Sequence, residues 1–128
     1  MDNSAQKILM VDDEPAITEG ICEALELQGY HVAAAFDGQQ ALDAIERDCP
    51  DLVVMDVRMP RVDGLQVLKL LRSAPETRDL PVILLTGLGT DQQIVEGIKS
   101  GATMYLTKPV ELAKVTALVA AILGPRRA

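Results

Sequence analysis

Three acidic residues in a row, Asp12-Asp13-Glu14, follow the apolar run Lys7-Ile8-Leu9-Met10-Val11, and a lone Asp56 follows Asp51-Leu52-Val53-Val54-Met55. Lys108-Pro109 follows a third run, Met104-Tyr105-Leu106-Thr107. Carboxylates and an ammonium at the ends of apolar runs predict a site along one edge of a sheet. Clustered carboxylates repel one another, and desolvation adds to that cost unless a cation is present, so the acids suggest a hard divalent metal. Magnesium suits them, because it prefers oxygen ligands, takes few from protein and keeps positions open for water and phosphate oxygens. Taken alone, two acids after a strand are ordinary loop residues that favour the start of the next helix. A single lysine at a strand end is ordinarily a solvated surface charge. The conjunction with Asp56 and Lys108 is what favours a site.

The elements that must position these residues alternate along the chain. Short apolar runs alternate with longer segments whose apolar residues recur every three or four positions, the pattern of an α/β domain. Strands are predicted over Lys7 to Val11, His31 to Ala35, Asp51 to Asp56, Val82 to Leu85 ending at Thr86, and Thr103 to Thr107. The first, third and fourth are continuously apolar, as expected of strands covered on both faces. Helices are predicted over Pro15 to Gln28, Gly38 to Asp48, Gly64 to Ser73, Thr90 to about Ser100, and Glu111 to Leu123. Pro15 suits a first helical position, Gly29 and Gly101 suit helix ends, Pro75 helps to end the third helix, and Thr90 with Gln93 matches a capping box. Five βα units with short loops and right-handed crossovers point to a doubly wound, flavodoxin-like (βα)5 fold with a five-stranded parallel sheet in the order 2-1-3-4-5. Its switch point lies between strands one and three, at Asp12, Asp13 and Asp56, so topology and charge converge.

The 128 residues, 48% of them apolar, predict a single domain spanning 1–128 with a core over about 7–123. A formal charge of −7, from 12 basic and 19 acidic residues, disfavours direct contact with nucleic acid or an anionic membrane. Tyr30, Phe36 and Tyr105 are the whole aromatic set, too few for base-stacking platforms. Cys22 and Cys49 lack metal-like spacing and read as packing residues; with no signal peptide or membrane-spanning run apparent, a cytoplasmic setting is expected. His31 reads as a partly exposed strand residue away from the site. Ala113, Ala117, Ala120 and Ala121 leave part of the last helix weakly apolar on its outer surface, a candidate contact for a partner or a second copy.

Over about Lys7 to Leu123 the sequence resembles the receiver domain of bacterial two-component response regulators, including the chemotaxis receivers. The matching motifs are Val11-Asp12-Asp13-Glu14-Pro15, Asp56-Val57-Arg58-Met59-Pro60 with Asp63-Gly64, Thr86-Gly87, Tyr105 and Lys108-Pro109. The resemblance implies that Asp56 is the phosphoacceptor and a carboxylate nucleophile, its donor a phosphohistidine on a sensor histidine kinase or histidine phosphotransfer protein. It implies Mg2+, or Mn2+ in its place, held by Asp13 and Asp56 directly, by Asp12 through water, and by the backbone carbonyl of Arg58. Lys108 pairs with a phosphoryl oxygen, Gly87 leaves the phosphate pocket open, and Thr86 and Tyr105 form the conformational switch. The Lys108-Pro109 bond is implied to be cis, and Arg58 and Leu88 flank the site where the family tunes phosphoryl lifetime. The ordinary alternative for Thr86 is a β-branched strand end, and for Tyr105 a half-buried ring. The implied protein is a signalling domain that catalyses only its own phosphorylation and dephosphorylation, acting on a downstream effector, a fused output domain or, once phosphorylated, a second copy of itself.

Three other readings compete. A haloacid-dehalogenase-type phosphatase also uses a strand-end aspartate but needs a second acid two residues on, where this chain has Arg58. A flavodoxin-like cofactor binder shares the sheet, yet Asp12-Asp13-Glu14 would repel phosphate in the absence of metal. A receiver-like module that is never phosphorylated is compatible with the fold, since fold alone does not fix function. No effector resemblance follows the last helix, so the expected chain is either a stand-alone receiver or the receiver portion of a longer protein.

Overall fold

The continuous apolar runs become the centre of one parallel sheet. A computed structural model of the protein describes residues 5–59, 61–87, 95–97 and 99–124. Its elements are β1 (Lys7–Val11), α1 (Pro15–Leu27), β2 (His31–Ala35), α2 (Gly38–Arg47), β3 (Leu52–Asp56), α3 (Gly64–Ser73), β4 (Val82–Thr86), β5 (Met104–Thr107) and α4 (Leu112–Leu123). Residues 95–97 and 99 are helical, within the helix expected between β4 and β5. The strand order is β2-β1-β3-β4-β5, with every pairing parallel, as the flavodoxin-like reading required.

Side chains of a strand alternate between its faces, and both faces of the central strands are covered. Leu9, Val11, Val53, Met55, Val82 and Leu84 enter one core cluster with Ala41 and Ile45 of α2 and Val67, Leu68 and Leu71 of α3. Their neighbours Ile8, Met10, Leu52, Val54, Ile83 and Leu85 enter the other, with Ile21 and Leu25 of α1 and Val115 and Val119 of α4. Burying each such side chain contributes about 1.5–3 kcal/mol before entropy is counted, so the strands that carry the acids lie in the best-packed part of the molecule. The two edge strands differ: most side chains of β2 and β5 remain partly or fully exposed.

Local chemistry sets the ends. Pro15 opens α1, and Gly29 and Gly101 take the positive φ that ends a helical turn. Five element ends fall one residue inside the sequence expectation: Gln28, Asp48 and Glu111 are cap residues of their helices, and Asp51 and Thr103 stay just outside their strands. Asp51 instead accepts a hydrogen bond from the Lys7 backbone N–H at 2.7 Å. Two caps went unnoticed in the sequence: Asp37 accepts from Gln40 N, and Asp63 with Gln66 forms a full capping box that starts α3. The capping box expected at Thr90 and Gln93, together with Pro60, Leu88, Gly89, Ile94, Ile98 and the tail from Pro125, lies outside the described residues. Cys22 packs against the second core cluster as expected, and burial pushes its thiol pKa up, with Glu26 adding to the effect. Cys49 is exposed and does not pack. No helix among the described residues is long and apolar enough to cross a membrane.

Candidate functional site

Asp12 leaves the sheet immediately after β1, its N–H still bonded to the Ala35 carbonyl at 3.1 Å. The Asp12 Oδ1 accepts the Glu14 N–H at 2.9 Å, which closes the turn into α1. From the first turn of that helix the buried Thr18 hydroxyl reaches the carbonyls of Asp12 at 3.2 Å and Glu14 at 3.1 Å, fixing the acidic loop from below. Thr18 was missed in the sequence; its signal was a hydroxyl residue on the inward stripe beside Ile17 and Ile21.

Asp56 is the last residue of β3 and only 5% exposed. Its Oδ1 accepts the Arg58 N–H at 3.2 Å and its Oδ2 the Lys108 ammonium at 2.9 Å. The following loop is held close to the strand. Val57 N–H bonds to Leu85 O at 3.0 Å and Gly64 N–H to Val57 O at 2.8 Å. A Cβ on Gly64 would overlap the Asp56 carbonyl oxygen, and a Cβ on Gly38 would overlap that of Val62, so both approaches require glycine. Between them Arg61 takes a φ of 67°, unusual for a residue with a side chain.

Asp12, Asp13 and Asp56 each offer a carboxylate oxygen, and these lie within 4.8 Å of one another. Lys108 Nζ stands 2.9 Å from Asp56 Oδ2, 3.2 Å from Asp12 Oδ2 and 3.2 Å from Glu14 Oε1. Burial alone would lower the Lys108 pKa, but the hydrogen bond and charge of Asp56, and then of Asp12, overcome it and hold the ammonium above its usual range. Asp12 behaves oppositely: burial raises its pKa, the Glu14 N–H lowers it, Asp56 raises it, and Lys108 recovers only part. The lysine gains from Asp56 and Asp12, while Asp12 recovers through the lysine only part of what its burial costs.

The donor set fits a hard divalent cation. All three groups are carboxylates, and the fully buried Asp12 Oδ2 has a charged neighbour but no aligned hydrogen bond, an arrangement that a cation would complete. A shallow depression beside the cluster is lined by Asp13, Val57, Arg58, Met59, Asp63 and Leu65, where a cation would meet the exposed Asp13. Arg58 is exposed, and its backbone N–H reaches the site at Asp56 Oδ1.

Thr86 ends β4 beside Asp56, and its fully buried hydroxyl has no hydrogen-bond partner among the described residues. Its carbonyl accepts the Lys108 N–H at 2.7 Å, so the threonine and the lysine share one backbone junction. A Cβ on Gly87 would meet nothing within 4 Å. The Lys108-Pro109 bond is cis. Tyr105, opposite Leu84 in register, is 38% exposed and takes no part in the carboxylate cluster. Thus Asp12, Asp13, Asp56 and Lys108 are brought together and Thr86 is placed beside them, while Tyr105 stands on the outer surface of an edge strand.

A doubly wound α/β domain with an oxygen-ligand cluster and one lysine at its switch point is the class that fold and site define. Residues 8–120 match the response regulator receiver domain family, and the chain belongs to that family. It is therefore a receiver domain of two-component signalling. Response regulator MprA of Mycolicibacterium vanbaalenii is 44% identical over 117 residues, covering 91% of this chain and 50% of that protein. The DNA-binding dual master transcriptional regulator RpaA of Synechocystis is 41% identical, covering 91% of this chain and 48% of that protein. The chain thus spans about half the length of the curated relatives it matches. A crystal structure of a response regulator from Chloroflexus aurantiacus superposes with a TM-score of 0.88 at 34% identity, covering 93% of this chain and 98% of the other.

Proposed function

We propose that this domain, one receiver unit with its core over about 7–123, accepts a phosphoryl group on Asp56 from a phosphohistidine of a sensor kinase or phosphotransfer protein. The observation that carries the reading is the Asp56 carboxylate: nearly buried, oriented by the Arg58 N–H, and 2.9 Å from the Lys108 ammonium beside two further acids. An Asp56 oxygen forms the new bond to phosphorus as the phosphorus–nitrogen bond breaks and its electron pair returns to the imidazole. Bound Mg2+, or Mn2+ in its place, supplies charge neutralisation for the transferring group, with Asp13 and Asp56 as direct ligands, Asp12 through water, and the Arg58 carbonyl. Lys108 already stands at the acceptor oxygen and turns an N–H to the equatorial phosphoryl oxygens, where negative charge accumulates. Gly87 leaves room for them.

The response then leaves the site through Thr86. Its buried hydroxyl, without a hydrogen-bond partner among the described residues, gains an acceptor in the phosphoryl group, and its movement vacates space for the exposed ring of Tyr105. One relative is named a DNA-binding regulator, which supports an output module, fused or separate, as the recipient of this change, with a phosphorylation-linked homodimer as a further consequence. The expected setting is the bacterial cytoplasm.

Incubating the intact protein with Mg2+ and acetyl phosphate, or with beryllofluoride as a phosphoryl mimic, tests the reading. Wild type gains one covalent phosphoryl group by mass spectrometry and Asp56→Asn gains none; a wild type that takes up neither label nor mimic refutes it. Thr86→Ala is expected to keep the label but lose the phosphorylation-induced shift of the Tyr105 ring resonances. An undiminished shift in that variant removes Thr86 from the switch.

A further inference from the structure

Glu14 is the N-cap residue of α1, yet its carboxylate makes no capping hydrogen bond. Aspartate, asparagine, serine and threonine are the usual N-caps, and the longer glutamate side chain gains there chiefly from the helix dipole. Here the side chain reaches across the site instead, placing Oε1 3.2 Å from Lys108 Nζ. Lys108 faces three carboxylates but donates aligned hydrogen bonds to two of them, Asp56 at 2.9 Å and Glu14 at 3.2 Å, while Asp12 Oδ2 lies 3.2 Å away as a charge partner only. Asp12, just beyond β1, and Asp56, at the end of β3, are buried, so withdrawal of either would carry a charge through the packed interior. The Glu14 side chain is 59% exposed and can move into water without leaving a buried charge behind.

We propose that Glu14 is a positioning residue that competes with the incoming phosphoryl group for Lys108, and so sets the rate of phosphoryl uptake and the preference for donor charge. The inference rests on Asp56 being the acceptor. When an Asp56 oxygen bonds to the phosphorus of acetyl phosphate, the bond from phosphorus to the bridging oxygen breaks and its electron pair leaves with acetate. Each carboxylate held by Lys108 draws its charge away from the phosphoryl oxygens, and of the two that accept its hydrogen bonds Glu14 is the exposed one that can give its N–H up. Until it does, its negative charge also stands at the mouth of the site and repels a dianionic donor more than a singly charged one.

The test measures initial rates of Asp56 labelling in wild type, Glu14→Gln and Glu14→Asp, with acetyl phosphate as the dianionic donor and phosphoramidate as the singly charged one. Glu14→Gln is expected to accelerate labelling by acetyl phosphate about two- to fivefold, the worth of one partly screened charge pair. The gain is expected to be smaller with phosphoramidate and to shrink at high ionic strength. Glu14→Asp, too short to span to Lys108 from the same backbone, is expected to give an intermediate rate. Unchanged rates in Glu14→Gln overturn the proposal, as does an equal change with both donors that salt does not affect, which would indicate a structural role. Absence of label in wild type would instead refute the Asp56 reading, so the two failures are distinguishable.

Discussion

Lys7 and Lys108 lie at opposite ends of the sheet and hold acids at nearly the same distance, 2.8 Å to Asp48 and 2.9 Å to Asp56. The surroundings differ. The Lys7 and Asp48 side chains are 50% and 68% exposed, whereas those of Lys108 and Asp56 are 20% and 7% exposed. Water screens the first pair and gives either partner an alternative, so its separation says little about its energy. In the second, two carboxylates have been taken out of water and depend on one ammonium, and neither the lysine nor the acids can be removed without consequence for the others. Matching distances therefore describe a surface tether at one end and an electrostatic centre at the other.

Removing each cation in turn is the strongest way to break that contrast. Lys108→Met is expected to lower the free energy of unfolding by about 3 kcal/mol in metal-free buffer, read from urea denaturation, because buried acids lose their counter-charge. Wild-type stability in that variant would mean that the two ends are energetically alike. Next in size, Asp12→Asn is expected to raise the metal-free melting temperature at neutral pH by roughly 3–5 °C, by deleting a carboxylate that burial and Asp56 disfavour. The sign follows from its raised pKa: the protonated form favours folding at low pH, and that contribution is lost as pH rises through the raised value. The advantage of the variant should accordingly open as pH climbs above the ordinary carboxylate range and close again when Mg2+ stabilises the wild type. The smallest effect belongs to Lys7→Met, whose urea midpoint at moderate salt should coincide with that of wild type; a clear loss would show that exposure is not what separates the two lysines.

Much of this arrangement was legible in the sequence because it depends on patterns of fixed period. The apolar runs ending at Val11, Met55 and Leu85 gave the buried strands, and residues just beyond such strands must emerge at one edge, which located Asp12, Asp13, Asp56 and Thr86. Lys108 followed from the same rule. What the pattern could not carry was side-chain direction. Whether Glu14 would cap its helix or reach for Lys108 depends on the turn that Asp12 and Thr18 build, and no periodicity encodes that turn. The exposure of Tyr105 and of Cys49 depends likewise on which strand forms the edge and how the loop after α2 runs. Asp63 and Gln66, by contrast, have the spacing of a capping box, which the sequence alone displays.

The two close backbone approaches at Gly38 and Gly64 bear on how the chain tolerates change. In a saturation-mutagenesis scan these positions would register as among the most intolerant, although neither contributes a side-chain atom to any chemistry. Gly20, where an added Cβ meets nothing within 4 Å, would accept alanine freely. A tolerance map of the domain would thus outline the loop around Asp56 as clearly through the atoms that must be missing as through the charges that must be present.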